Sequence, residues 1–132
     1  MATTKRKREY DEGSMDVAGA LDYFRRKMAF TTGPVELSRA IANREVNVVD
    51  VRREHDYRAG HIPGATNLPQ DRWHTLEGLV TDRPNVLVCY SHACHLAAHA
   101  AFEFAHAGYP VMELDGGWKE WHRHDLPIER ET

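Results

Sequence analysis

The sequence holds little cysteine: two residues, Cys89 and Cys94, in a chain of 132. A chain of this length buries about two-thirds of its unfolded surface, so it needs neither a disulfide nor a structural metal to hold a core. No apolar run approaches the ~20 residues of a membrane span, so no membrane partner is expected. The N-terminal stretch MATTKRKREYDEGSM is basic but has no apolar segment behind it, unlike a secretory signal. Without such a signal the two thiols are expected in the cytoplasm, as reactive or buried groups rather than a bridge. No large basic block lies beyond that tail and the net charge is −3, which argues against nucleic acid as the partner. Internal repeats are missing too. What is left, 42% hydrophobic and 28% charged residues, is the make-up of one ordinary globular domain.

Residues 1–15, including the basic run Lys5 to Arg8, read as a solvated, disordered tail. Residues 16–32 read as a helical extension, because Val17, Leu21, Phe24 and Met28 recur at helical spacing with charges between. This helix would cap the core or form a dimer contact, and the oligomeric state stays open between monomer and homodimer. A second helix follows, with Thr32 and Gly33 at its cap, Pro34 near its first position, and Val35, Leu37 and Ile41 on its apolar face. Then the period changes. VNVVDV, Val46 to Val51, is β-branched and almost wholly apolar, as a strand covered on both faces would be. REHDYRAG gives a short helical turn, HIPGATNLP a Pro-Gly turn with a brief strand from Ala65 to Leu68, and DRWHTLEGLV a helix. RPNVLVCY is a second buried strand, followed by an alanine-rich helix that Gly108 ends. YPVMELD is another strand, GGWKEWHRH a last helix, and LPIERET a tail. Strands alternating with helices predict an α/β domain over residues 33–132, a mostly parallel central sheet with helices on both faces.

In such sheets ligands bind in the loops beyond the carboxyl ends of the strands. The stretch VLVCYSHACHLAAHAAFEF lies at that edge and contains both cysteines. Cys89 ends a strand and precedes a helix beginning near Cys94 or His95. Free amides at a helix N-terminus would stabilise its thiolate and lower its pKa, which would make Cys89 a nucleophile. The bland alternative is a small apolar residue that merely finishes the strand.

Three segments carry a resemblance. VVDVRREHDYRAGHIPGATNLP, VLVCYSHACHLAAHAA and GYPVMELDGGWKEW, in that order between Pro34 and Ile128, resemble the successive motifs of rhodanese-like domains. The resemblance implies a sulfurtransferase, of the thiosulfate type, with Cys89 as the catalytic residue. Cys89 would take sulfur from a small sulfane donor, hold it as a persulfide, and pass it to a thiol or protein acceptor. No cofactor is implied. The active-site loop would be Tyr90, Ser91, His92, Ala93, Cys94 and His95. Asp50 and Arg52, at the end of the neighbouring strand, would flank the pocket, Asp50 bracing backbone amides and Arg52 either binding an anion or forming a salt bridge. His61 and Gly64 would fix a turn, and Gly116 and Gly117 would let the chain turn tightly after the last strand.

The loop departs from that pattern, since it has no glycine and no permanent cation where family loops carry Gly with Arg or Lys. Phosphatase-like loops need an arginine six positions after the cysteine; here that position is His95, or Ala100 counted from Cys94. Cys94 raises the prospect of a resolving thiol for a sulfenic acid or persulfide on Cys89, and so of a thiol redox protein. His95, His99 and Glu103 recur on one helix face, opposite a sheet-facing stripe of Leu96, Ala100 and Phe104. One helix alone contributes them, so a solvated polar face is expected there and no metal. The remaining alternative is a non-catalytic module that binds a protein partner.

Overall fold

The computed structural model describes residues 15–131. The chain separates between Phe30 and Thr31 into two units. The first is a single helix, α1 (Val17–Phe30), within the stretch whose spacing predicts one. Asp16 Oδ1 accepts the amide of Gly19 at 2.9 Å, satisfying one of the free donors of its first turn.

The second unit is built on five parallel strands in the order β1-β5-β4-β2-β3. They are β1 (Thr31–Thr32), β2 (Asn47–Asp50), β3 (Thr66–Asn67), β4 (Asn85–Val88) and β5 (Val111–Leu114). Thr31 and Thr32 lie in the stretch read above as extension, yet they pair with Glu113 and Leu114 and so edge the sheet. The helices are α2 (Pro34–Ala42), α3 (Glu54–Ala59), α4 (Leu96–His106) and α5 (Gly117–Arg123), with a 3₁₀ helix at Gln70–Thr75. Alternate residues of the central strands face opposite ways, so the unbroken apolar runs feed two cores. Val48, Val86, Val88 and Leu114 pack with Leu37 of α2, Tyr57 of α3 and Trp121 of α5. Val49, Val51, Leu87 and Cys89 pack with Trp73 and with Ala97, Ala100 and Phe104 of α4.

Three details differ from the sequence reading. The helix expected over 71–80 stops at Thr75, because Leu76 and Gly78 adopt left-handed backbone (φ 59° and 83°). The α4 stripe is fully buried at Ala97 as well as at Ala100 and Phe104, while Leu96, at the start of the helix, packs against that core only half-buried. The C-terminal segment is no loose tail. His61 and Glu129 exchange both backbone hydrogen bonds at 2.9 Å, and Glu131 N–H donates to Arg58 O. At the far end of α4, Tyr109 N–H donates to Phe104 O and Gly108 N–H to Ala105 O, with Gly108 at φ 95°. That is the double-bonded stop a helix makes when glycine follows it.

Candidate active site

Cys89 is the first residue after β4, at the carboxyl edge of the sheet, and only 4% of its surface is exposed. The chain then turns: Cys94 N–H donates to Ser91 O at 3.1 Å, folding Tyr90–His95 into a loop over the sulfur. The Cys89 thiol is placed to donate to Ser91 O at 3.6 Å and to Cys94 O at 3.5 Å. His92, Ala93 and His95 are exposed, while Tyr90, Ser91 and Cys94 are half-buried.

The last helix fixes this loop. Trp118 N–H donates to Cys89 O at 2.7 Å and Lys119 N–H to Tyr90 O at 3.0 Å, so free amides of the first turn of α5 hold two loop carbonyls. That approach is open only to glycine at position 117. Its φ is +60°, and a Cβ there would stand 2.6 Å from Cys89 O and 3.0 Å from Ser91 N. The Gly-Gly pair expected to make a tight turn thus sets the floor of the loop as well. On the outer side, Tyr90 Oη donates to Asp56 Oδ2 at 2.6 Å and accepts from Arg53 N–H at 3.2 Å.

The thiol itself differs from expectation. The amides of Ala97 and Ser91 do favour the thiolate, as a helix N-terminus should. Burial outweighs them, the neighbouring Cys94 thiol adds to it, and the Cys89 pKa moves up rather than down. The resting group is a buried neutral thiol. Cys94 Sγ accepts the Leu96 amide at 3.5 Å. Both cysteines are free.

Asp50 and Arg52 face each other, not the sulfur. Arg52 Nε lies 3.0 and 3.1 Å from the two Asp50 oxygens, and Nη2 lies 2.8 Å from Oδ2 and 2.7 Å from Gly60 O. Asp50 also accepts the Arg52 amide at 2.9 Å. Both residues are buried, and the guanidinium carbon lies 4.6 Å from the Trp118 ring centre. Burial pushes the Asp50 carboxyl up while the Arg52 guanidinium pulls it down. The pair is an internal brace between β2 and the turn at Gly60, and neither residue lines the cavity beside Cys89. His61, expected to fix a turn, is buried, stacked 3.8 Å from the Tyr57 ring and paired through Nδ1 with Tyr57 O at 2.7 Å.

Two of the cavities at this edge are lined by a cysteine. The smaller, about 100 Å³, is lined by Cys89, Ser91, His92, Cys94, Thr31 and the β5 end from Glu113 to Gly116. The larger, about 780 Å³, is lined by Arg53, Gln70, Arg72, Tyr90, Cys94 and Leu96 among others. Cys89 lines only the smaller, and Cys94 lines both. Glu113 and Asp115 escaped the sequence reading. The signal was a lone glutamate in the apolar strand VMEL, but its relation to Cys89 depends on strand order. Burial and Asp115 raise the Glu113 carboxyl above its ordinary range, and His95 pulls it down. Among the described residues no group of three or more His, Cys, Asp or Glu side chains could hold a metal ion. His95, His99 and Glu103 are exposed on the outer face of α4.

The sequence profile of the rhodanese-like domain matches residues 33–124. Similar curated proteins include an HTH-type transcriptional regulator of Mycobacterium tuberculosis, 41% identical over 98 residues; the match covers 71% of this chain and 42% of that regulator. The chain therefore aligns with less than half of the regulator. The thiosulfate sulfurtransferase GlpE of Stutzerimonas stutzeri is 33% identical, with 74% of this chain and 89% of that protein covered. Among solved structures, a Bacillus halodurans protein superposes with a TM-score of 0.79 at 30% identity, covering 86% of this chain and 85% of that one. A thiosulfate sulfurtransferase from Pseudomonas aeruginosa gives 0.67 at 33% identity, covering 78% and 20%.

Proposed function

The chain belongs to the rhodanese-like domain family, and on that premise we propose that it is a sulfurtransferase carrying sulfane sulfur on Cys89. The single observation behind this is a thiol at the carboxyl edge of the sheet, placed to donate to Ser91 O and Cys94 O of its own loop, where the Ser91 and Ala97 amides favour its thiolate. Cys89 loses its proton and attacks the outer sulfur of a sulfane donor. The donor's leaving group departs with the electron pair, and a persulfide remains on Cys89. An acceptor nucleophile, a small thiol or a protein cysteine, then takes the outer sulfur and restores the thiol. The cavity of about 100 Å³ suits the outer sulfur and a few further atoms. Nothing in this cycle calls for a cofactor. Two free thiols are in keeping with a reducing compartment, the cytoplasm.

Thiosulfate is the first donor to try, because it names the activity of the GlpE relatives. With whichever sulfane donor loads the protein and cyanide as acceptor, wild-type protein is expected to release thiocyanate, Cys89→Ser to release none, and Cys94→Ser to keep most of the activity. Unchanged turnover in Cys89→Ser contradicts the proposal. No transfer and no sulfur adduct with any donor would leave the binding-module reading. A thiol redox role is the second reading, favoured by the two cysteines lining one cavity, close enough for Cys94 to raise the Cys89 thiol. Peroxide treatment followed by thiol counting tests it, and two free thiols remaining would exclude it.

A further inference from the structure

Parallel strands in register carry their side chains alternately to the two faces. Glu113 is paired with Leu87, so it shares a face with Leu87 and with Cys89 two residues on. Asp115, two residues beyond Glu113, continues along the same side. Both carboxylates therefore come from β5 to the wall of the cavity that holds the Cys89 sulfur.

Among the described residues, no lysine or arginine lines that cavity to offset them. Of the nearest cations, Arg52 is taken up by Asp50 and Gly60 O. Arg53 lines the larger cavity, and Lys119 lines a third, with Arg52 and Trp118. The basic side chain in the small cavity is a histidine, His92, with His95 next along the loop. Within that cavity a dianionic donor would meet two carboxylates and no fixed positive charge.

We infer, taking the persulfide reading of Cys89 as given, that the donor is an organic hydropersulfide with a neutral or cationic head, and that Glu113 and Asp115 select against anionic donors such as thiosulfate. The step balances without an oxidant. Cys89 thiol and R–S–SH give Cys89–S–SH and R–SH: the donor S–S bond breaks as the new one forms, and the proton of the cysteine ends on the departing thiolate.

The test uses four donors: thiosulfate and the hydropersulfides of N-acetylcysteine, cysteine and cysteine methyl ester, whose heads run from anionic to cationic. Sulfur loading on Cys89 is followed by mass spectrometry in wild type, Glu113→Gln, Asp115→Asn and the double variant. Donors differ in intrinsic reactivity, so the reading is the variant-to-wild-type rate ratio for each donor. Near unit charges in a partly buried site, neutralising one carboxylate is expected to change the ratio by about tenfold per unit of donor charge. The double variant should gain on thiosulfate and on the N-acetyl donor and lose on the methyl ester. Asp115→Asn, at an exposed position, gives the same sign with little risk to folding. Ratios equal across all four donors overturn the inference while leaving the sulfur-carrier reading intact. Loading of none of them in wild type overturns that reading, and this inference with it.

Discussion

Substituting alanine for Gly117 isolates the contact that holds the cysteine loop. Two costs are expected. At φ +60° an alanine sits in left-handed backbone, which costs about 1–2 kcal/mol. Its Cβ would also stand 2.6 Å from Cys89 O and 3.0 Å from Cys89 C and Ser91 N, all backbone atoms with no side-chain freedom to yield. Relief requires α5 and the loop to part, and that strains the 2.7 Å bond from Trp118 N–H to Cys89 O and the 3.0 Å bond from Lys119 N–H to Tyr90 O. At about 1 kcal/mol net for each hydrogen bond, the clash adds roughly 2 kcal/mol, for a total of about 3–4 kcal/mol. Gly64→Ala is the matched control. Gly64 has φ +80°, but an alanine methyl there would meet no atom within 4 Å, so it carries the conformational cost alone. Urea unfolding of the two variants measures the difference, and the alkylation rate of Cys89 should change in Gly117→Ala only. If the two variants differ by less than about 0.5 kcal/mol, the clasp between α5 and the loop is not the constraint argued above.

Arg52→Leu should cost about 3–5 kcal/mol in the same assay, because it leaves the Asp50 carboxylate buried without its partner. A loss below about 1 kcal/mol would mean that the pair is no brace. Burial lifts the Cys89 thiol above the ordinary 9.0, so its alkylation rate should climb with pH to a midpoint above that value; a midpoint below it would contradict the buried neutral thiol. The same lift makes a stability contribution with a definite sign. The folded protein favours the protonated thiol, so the contribution is fully present below the ordinary thiol pKa and is lost as pH rises through the folded value.

How far this was legible in the sequence depends on the range of the interaction. The β-branched runs at Val46 and Val86, the Pro34 start and the Gly108 stop are local signals, and each sits where it was read. The 71–80 segment misled because its apolar spacing is helical, while Leu76 takes a left-handed turn that spacing does not encode. Asp50 and Arg52 are two apart at the end of a strand, which puts them on one side of it. That parity could have suggested the pairing over an anion site. The raised thiol pKa could not be read, because it depends on how tightly Ser91, Cys94 and α4 close over the sulfur. Glu113 and Asp115 reach the site through the pairing of β5 with β4, a contact between residues 26 apart in the chain (Leu87 and Glu113).

Peptide mapping by mass spectrometry after exposure to a sulfane donor, without reductant, tests the central claim most directly. The account predicts one added sulfur on the peptide containing Cys89 in the wild type and in Cys94→Ser, and none in Cys89→Ser. A sulfur adduct that persists in Cys89→Ser, carried on Cys94, would contradict it.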